Sequence, residues 1–152
     1  MELPALRLTP DEWMIPLFSD PEADGRRDVL EGRFVSLAMS ALRVGISVIL
    51  DFGVWSKDER TALRFLAREQ GAQCELIYLA VDHSQQLQRV KERLKADPEI
   101  AFEISEEDLV AFREFFQEPD FSELNTSIID PPPVGCSTWN EWSASRWPTS
   151  ML

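Results

Sequence analysis

An α/β fold, with a parallel sheet flanked by helices, follows from three features of the 152-residue sequence. Strand-like and helix-like segments alternate along the chain, the pattern of a parallel sheet covered by helices. The run Val48-Ile49-Leu50 is apolar throughout and ends in Asp51-Phe52-Gly53. It reads as a buried parallel strand whose carboxyl end delivers a carboxylate to a crevice. A helix start follows: Ser56 and Glu59 have capping-box spacing, and Asp58 and Glu59 suit the positive end of the helix dipole.

The other elements follow in order. Leu6–Leu8 is a short first strand running into Thr9-Pro10-Asp11-Glu12-Trp13. After a loop over Phe18–Arg27, a helix is predicted from about Asp28 to Arg43. Leu30, Phe34, Leu37, Ala38, Ala41 and Leu42 fall on one face of it, and Gly45 marks its end. The strand Ile46–Asp51 leads to a helix over Lys57–Gln70, with Leu63, Leu66 and Ala67 inward and Gly71 as its stop. A third strand is expected at Leu76–Val81, giving a three-stranded parallel core. Asp82 and Gln85 have capping-box spacing for a helix carrying Leu87, Val90 and Leu94. Past the polar break Lys95-Ala96-Asp97-Pro98-Glu99, Ser105 opens a helix with Leu109, Phe112, Phe115 and Phe116 on its apolar side. Pro131-Pro132-Pro133 is a rigid extended segment. Trp139, Trp142 and Trp147 make the tail an apolar cover for the core. The domain division is 1–130 for the α/β unit, with a mobile loop near 94–105, and 131–152 for the tail.

Composition bounds the function. A hydrophobic share of 44% and a charged share of 28% are those of a globular protein. The net charge of −12, from 15 basic and 27 acidic residues, disfavours extended nucleic-acid binding, whose affinity rests on phosphate neutralisation. No apolar run is long enough to span a membrane, and Met1-Glu2-Leu3-Pro4 lacks the layout of a signal peptide. With Cys74 and Cys136 read as reduced thiols, the expected location is cytoplasmic. The acidic stretch Asp97–Glu123 reads as a solvated surface.

Two groupings have the chemistry for a site. Asp11 and Asp51 lie just beyond the ends of two predicted strands, and in an open α/β sheet such ends share one crevice. Carboxylates there suit accepting a proton from a substrate hydroxyl or holding a hydrated cation. The structural alternative is that Asp11 caps the helix begun by Glu12 and Trp13, while Asp51 bonds turn amides. Arg89 and Arg93, four residues apart, share a helix face where two guanidinium groups fit phosphoryl oxygens. A surface pair between Arg93 and Asp82, Glu92 or Glu99 is the ordinary alternative. His83, the only histidine, reads as a turn residue.

Together these residues resemble the P-loop kinase family of zeta-toxin-like and polynucleotide-kinase-like ATP-binding proteins, over about Leu6 to Phe116. Thr9-Pro10-Asp11-Glu12-Trp13 resembles the segment whose aspartate is the general base toward the acceptor hydroxyl, at the position of Asp11. Leu50-Asp51-Phe52-Gly53-Val54-Trp55-Ser56-Lys57-Asp58-Glu59-Arg60 resembles the end of the third strand, where Asp51 would face the substrate and magnesium region. The Leu87–Leu94 helix and the loop after it resemble the lid, with Arg93 as the phosphate-clamping arginine and Arg89 beside it. The resemblance implies ATP with Mg2+ as cofactors and a small-molecule or nucleotide phosphate acceptor. Where the family often has a second lid arginine, this sequence reads Lys95-Ala96-Asp97.

None of the six glycines begins a GxxxxGK[ST] run, the loop that cradles phosphates and supplies a lysine and a magnesium-binding hydroxyl. The resemblance places that loop and its strand before Leu6, central in the sheet. The expected fold is therefore an incomplete P-loop NTPase-like sheet, first strand and phosphate loop missing, with strands Ile46–Asp51 and Glu75–Val81 roughly 9–10 Å apart, two strand spacings. The expected protein is a truncated kinase-like chain, inactive as it stands. The alternative is a non-catalytic binding or regulatory remnant of the same fold.

Overall fold

The computed structural model describes residues 4–96 and 104–151. Strands β1 (Ala5–Leu8) and β2 (Ser47–Leu50) pair in parallel, with Leu6 opposite Val48 and Leu8 opposite Leu50. Parallel neighbours need a crossover connection, and here it is made by helices α1 (Asp11–Phe18) and α2 (Arg26–Arg43). Gly45, at φ 80°, turns the chain from α2 into β2 in a backbone conformation that favours glycine.

Helix α3 (Lys57–Glu69) starts as its sequence dictates. The Glu59 amide donates to Ser56 Oγ at 3.1 Å, and the Ser56 amide donates to the Glu59 carboxylate at 2.9 Å. Its apolar face, Ala62, Leu63 and Leu66, meets Leu8 and the α2 residues Phe34, Val35, Ala38 and Met39 in one core. Leu37, expected on the buried face of α2, is instead about half exposed. The core touches α2 along the stripe through Phe34, Val35 and Ala38, and Leu37 falls beside that stripe.

The third strand is not formed. Segment 72–82 has no strand partner among the described residues, so the sheet has two strands and not three. Ile77 and Leu79 are 72% and 74% exposed, whereas Leu76 and Tyr78 are half-buried, with Tyr78 stacked on Phe116 at 5.9 Å. The alternation of a strand is present; a neighbour to pair with is not, and strand character is realised only through such pairing.

Helix α4 (His83–Ala96) begins where Asp82 accepts the Gln85 amide at 2.9 Å, and none of its residues is fully buried. Helix α5 (Glu106–Phe115) opens on a capping box between Ser105 and Asp108. Only Leu109 of its apolar side is buried; Phe115 points outward at 74% exposure, a departure from the expected face. Helix α6 (Phe121–Asn125) carries a second departure, since Glu123 in the supposedly solvated acidic stretch is buried.

Helix α7 (Trp139–Arg146) lies on α3. Trp139 and Trp147 are buried, with Trp142 edge-on to both at 5.7 Å, and the Trp139 indole donates to the Asp130 carbonyl at 2.8 Å. Where the tail crosses α2, the backbones nearly touch: a Cβ on Gly32 would stand 2.0 Å from the Pro148 carbonyl oxygen.

Candidate functional site

The parallel strands end together. The Asp51 amide donates to the Leu8 carbonyl at 2.9 Å, so Asp51 leaves β2 beside the point where the chain leaves β1 for Asp11. Arg7, on β1, ties this end of the sheet. Its Nε and Nη2 reach Asp51 Oδ2 at 2.8 and 2.7 Å, and its Nη1 donates to Glu12 Oε1 at 2.6 Å. Asp51 and then Glu12 hold the Arg7 guanidinium above its ordinary range. All three side chains are about half exposed.

Asp11 is the first residue of α1 and does not cap it. Pro10 occupies the cap position, without a side-chain bond, and its carbonyl accepts the Trp13 and Met14 amides. Asp11 Oδ1 accepts instead from Arg27 Nη2 at 2.7 Å. Asp51 likewise bonds a guanidinium where turn amides were the structural alternative. Both corrections share one physical reason: an arginine within reach offers charge-assisted bonds stronger than neutral amide bonds.

Arg27, mostly buried at the start of α2, also donates to Glu31 Oε1 at 3.2 Å and lies 4.0 Å from Glu22. Burial pulls its guanidinium down, but the Asp11 bond and the charges of Asp11, Glu31 and Glu22 hold it above its usual value. Glu31 is 4% exposed, and its Oε2 has no hydrogen bond. Burial pushes its carboxyl up to about 7, although Arg27 and Arg146 pull the other way. Arg146, at the end of α7, donates at 2.6 Å to both Glu59 of α3 and Asp28 of α2, and stands 3.7 Å from Glu31 Oε2. A continuous charged line thus runs from Asp11 through Arg27 and Glu31 to the tail.

Sequence reading singled out neither Arg7, Arg27, Glu31 nor Arg146. A charged Arg7 inside a short apolar strand was the available signal. The contacts of Arg146 with Glu59 and Asp28, 87 and 118 residues away, have no local signature.

Arg89 and Arg93 are exposed on α4 and make no hydrogen bond or ion pair among the described residues. Glu92 pairs with Gln88 instead, and Glu99, with most of the 94–105 loop, lies outside the described residues. His83 begins α4, 3.5 Å from Glu106. The structure therefore joins Asp51 to Arg7 and Asp11 to Arg27, and brings neither lid arginine to them. An open cleft lies elsewhere, lined by Asp28, Pro133, Cys136, Trp142, Ser145 and Arg146 at the tail.

No set of three or more His, Cys, Asp or Glu among the described residues is arranged to hold a metal ion. With each aspartate committed to a guanidinium, the described residues do not fit Mg2+ as they stand. No described helix is long and apolar enough to cross a membrane.

No curated protein and no solved structure matches the chain. A family comparison, in contrast, matches residues 1–119 to a family described as AAA domain, a span covering β1 through α5 and well over half of the sequence. The α/β arrangement with a parallel strand pair is consistent with such a fold. The chain belongs to this AAA-domain family of P-loop NTPase-like, kinase-like ATP-binding proteins.

Proposed function

We propose that the chain is the acceptor-side and lid portion of an ATP-dependent kinase of the zeta-toxin-like and polynucleotide-kinase-like kind, acting on a small-molecule or nucleotide hydroxyl in the cytoplasm. The observation that carries this reading is the common exit of Asp11 and Asp51 from the carboxyl end of the parallel pair. Ligands of open α/β sheets bind at that end.

In this reading Asp11 takes the proton from the acceptor hydroxyl as its oxygen attacks phosphorus. Arg27 engages only Oδ1, and Oδ2 makes no hydrogen bond among the described residues, which leaves an oxygen for the acceptor. Asp51 faces the same acceptor region, steadied by Arg7. Arg93, with Arg89 one turn before it, would clamp nucleotide phosphates when the lid closes. ATP would be the donor, with ADP leaving as the acceptor oxygen bonds to phosphorus, while the described residues do not fit Mg2+ as they stand. None of the six glycines in this sequence begins the phosphate-cradling motif, so the test supplies that loop.

The test pairs a binding assay with a turnover assay on a version carrying a strand and glycine loop ahead of Leu6. Asp11→Asn should cut phosphoryl transfer by about 10²–10⁴-fold with ATP affinity nearly unchanged. Arg93→Ala should weaken both. Turnover equal to the parent in Asp11→Asn would remove Asp11 from catalysis.

A second reading has its own observation: both aspartates are already engaged by arginines. A non-catalytic binding or regulatory remnant of the fold would keep such pairs as structure. It is favoured if the loop-bearing version binds ATP yet turns over no acceptor.

A further inference from the structure

We propose that Glu31 is a proton-operated latch for the C-terminal segment Trp139–Ser150: the protonated carboxyl keeps the segment seated on α2 and α3, and ionisation loosens it. This inference does not rest on the kinase reading.

The geometry carries it. Glu31 is sealed at 4% exposure, and its Oε2 accepts no hydrogen bond, an unusual state for an ionised carboxylate that wants several donors. The segment lies against the same stretch of α2, and its Arg146 stands 3.7 Å from Glu31 Oε2. Pro148 lies against Gly32, the next residue of α2; Thr149 Oγ1 donates to the Val29 carbonyl at 3.2 Å; Arg146 spans Asp28 and Glu59. Lifting the segment would open Glu31 to water.

The charges around Glu31 do not favour its ionisation. From α2 it faces Arg27 and Asp28, from α3 Glu59, and from α7 Arg146, while Arg27 also serves Asp11 and Glu22. Both guanidinium groups already have other carboxylates at 2.6–2.7 Å. An ionised Glu31 adds negative charge to a cluster in which acids outnumber bases. Burial raises the carboxyl to about 7, with Arg27 and Arg146 opposing and Asp28 and Glu59 adding to the rise.

The sign follows by linkage. The seated segment holds Glu31 raised above its ordinary value of 4.5, so seating binds a proton. The resulting stabilisation is complete below that ordinary value and is lost as pH rises through about 7. If the lifted state restores the ordinary value, the seating constant falls by at most about 30-fold between pH 5.5 and 8.5. Because Glu31 also holds Arg27, the same event reaches Asp11.

The experiment is native-state hydrogen exchange on the full chain, with intrinsic rates corrected for pH. Protection of the Trp142–Trp147 amides should fall up to about 30-fold from pH 5.5 to 8.5, while the α3 amides Leu63–Ala67 change less. Glu31→Gln should abolish the pH dependence, and His83→Asn should leave it intact. A flat profile in the parent, the same fall in Glu31→Gln, or an equal fall in α3 would overturn the latch. If Glu31→Gln does not fold, carboxyl carbon NMR of the parent decides. A Glu31 midpoint near 7 supports the latch, and one near 4.5 overturns it.

Discussion

Arg60 on α3 and Glu123 on α6 form a forked ion pair closed off from water, Nε to Oε1 at 2.7 Å and Nη2 to Oε2 at 3.1 Å, each side chain 2% exposed. Arg60 Nη1 also donates to the Val54 carbonyl at 3.3 Å, and its guanidinium lies 5.9 Å from the Phe116 ring centroid. Glu123 meanwhile accepts the Asp120 amide at 3.1 Å in the capping box of α6. One carboxylate therefore fixes a short helix and docks it on α3. This pair fastens the chain just beyond the family-matched residues to the α/β body.

Breaking that pair on one side should be worse than removing it. Glu123→Leu or Arg60→Met alone leaves a buried charge without its partner, expected to cost about 3–5 kcal/mol. The double substitution Arg60→Met with Glu123→Leu should cost less than the two single losses summed. Urea unfolding of the four proteins measures the cycle. Strict additivity would mean the two side chains contribute independently and the ion pair contributes nothing of its own.

Local signals in the sequence were the ones it carried best. Ser56 with Glu59 is a capping pair three residues apart and forms as read, and Ser105 opens its helix as expected, with Asp108 as a partner that was not singled out. The parallel pairing of β1 with β2 was also legible, because a crossover of two helices allows little else. The acids Asp11 and Asp51 were legible as residues, but their partners were not. Arg27 comes from 16 residues on and Arg7 from 44 residues back. The core role of Trp139 and Trp147 followed from their apolar bulk, whereas Phe115 shows the limit of that logic. It shares the helical period of Phe112 and still faces solvent, at 74% exposure.

The two capping serines should differ in what their loss costs. In α3, Glu59 both closes the box and accepts from Arg146 at 2.6 Å, so the cap supports a tertiary tie. In α5, Asp108 bonds only Ser105 among the described residues. Ser56→Ala is expected to cost about 1–2 kcal/mol and Ser105→Ala about 0.5–1 kcal/mol. Thermal unfolding of the two variants should show the larger loss of Tm for Ser56→Ala. The reverse order would place the weight of the fold on α5.

Gly32→Ala tests the tail from the α2 side. The added methyl would meet the Pro148 carbonyl carbon at 2.9 Å as well as its oxygen, backbone atoms that cannot rotate away. Overpacking of this kind is expected to cost about 1–3 kcal/mol, and here it should act by lifting the tail. Emission from Trp147, 1% exposed, should shift to the red as water reaches it, while far-UV circular dichroism changes little. A parent-like emission spectrum with unchanged stability would show that the tail does not lie on Gly32.

The unpaired third segment yields the last expectation. Backbone groups of β1 and β2 bond one another, whereas among the described residues 73–80 make no backbone hydrogen bond to a neighbouring strand. The segment is held chiefly by side chains, Tyr78 on Phe116 and the Val81 carbonyl accepting from Arg113 at 3.3 Å. Amides outside a hydrogen-bonded ladder open at little cost, so the amides of Glu75–Ala80 should exchange orders of magnitude faster than that of Asp51, which donates to the Leu8 carbonyl across the pair. Ile77 and Leu79, both largely exposed, present an unpaired apolar edge of the sort that recruits further strands, so the chain should associate as its concentration rises. Ile77→Lys with Leu79→Lys should suppress that association without loss of the folded core, since neither side chain lies in it. Strong protection of Glu75–Ala80 in a soluble monomer would require a paired third strand and would contradict the two-stranded sheet.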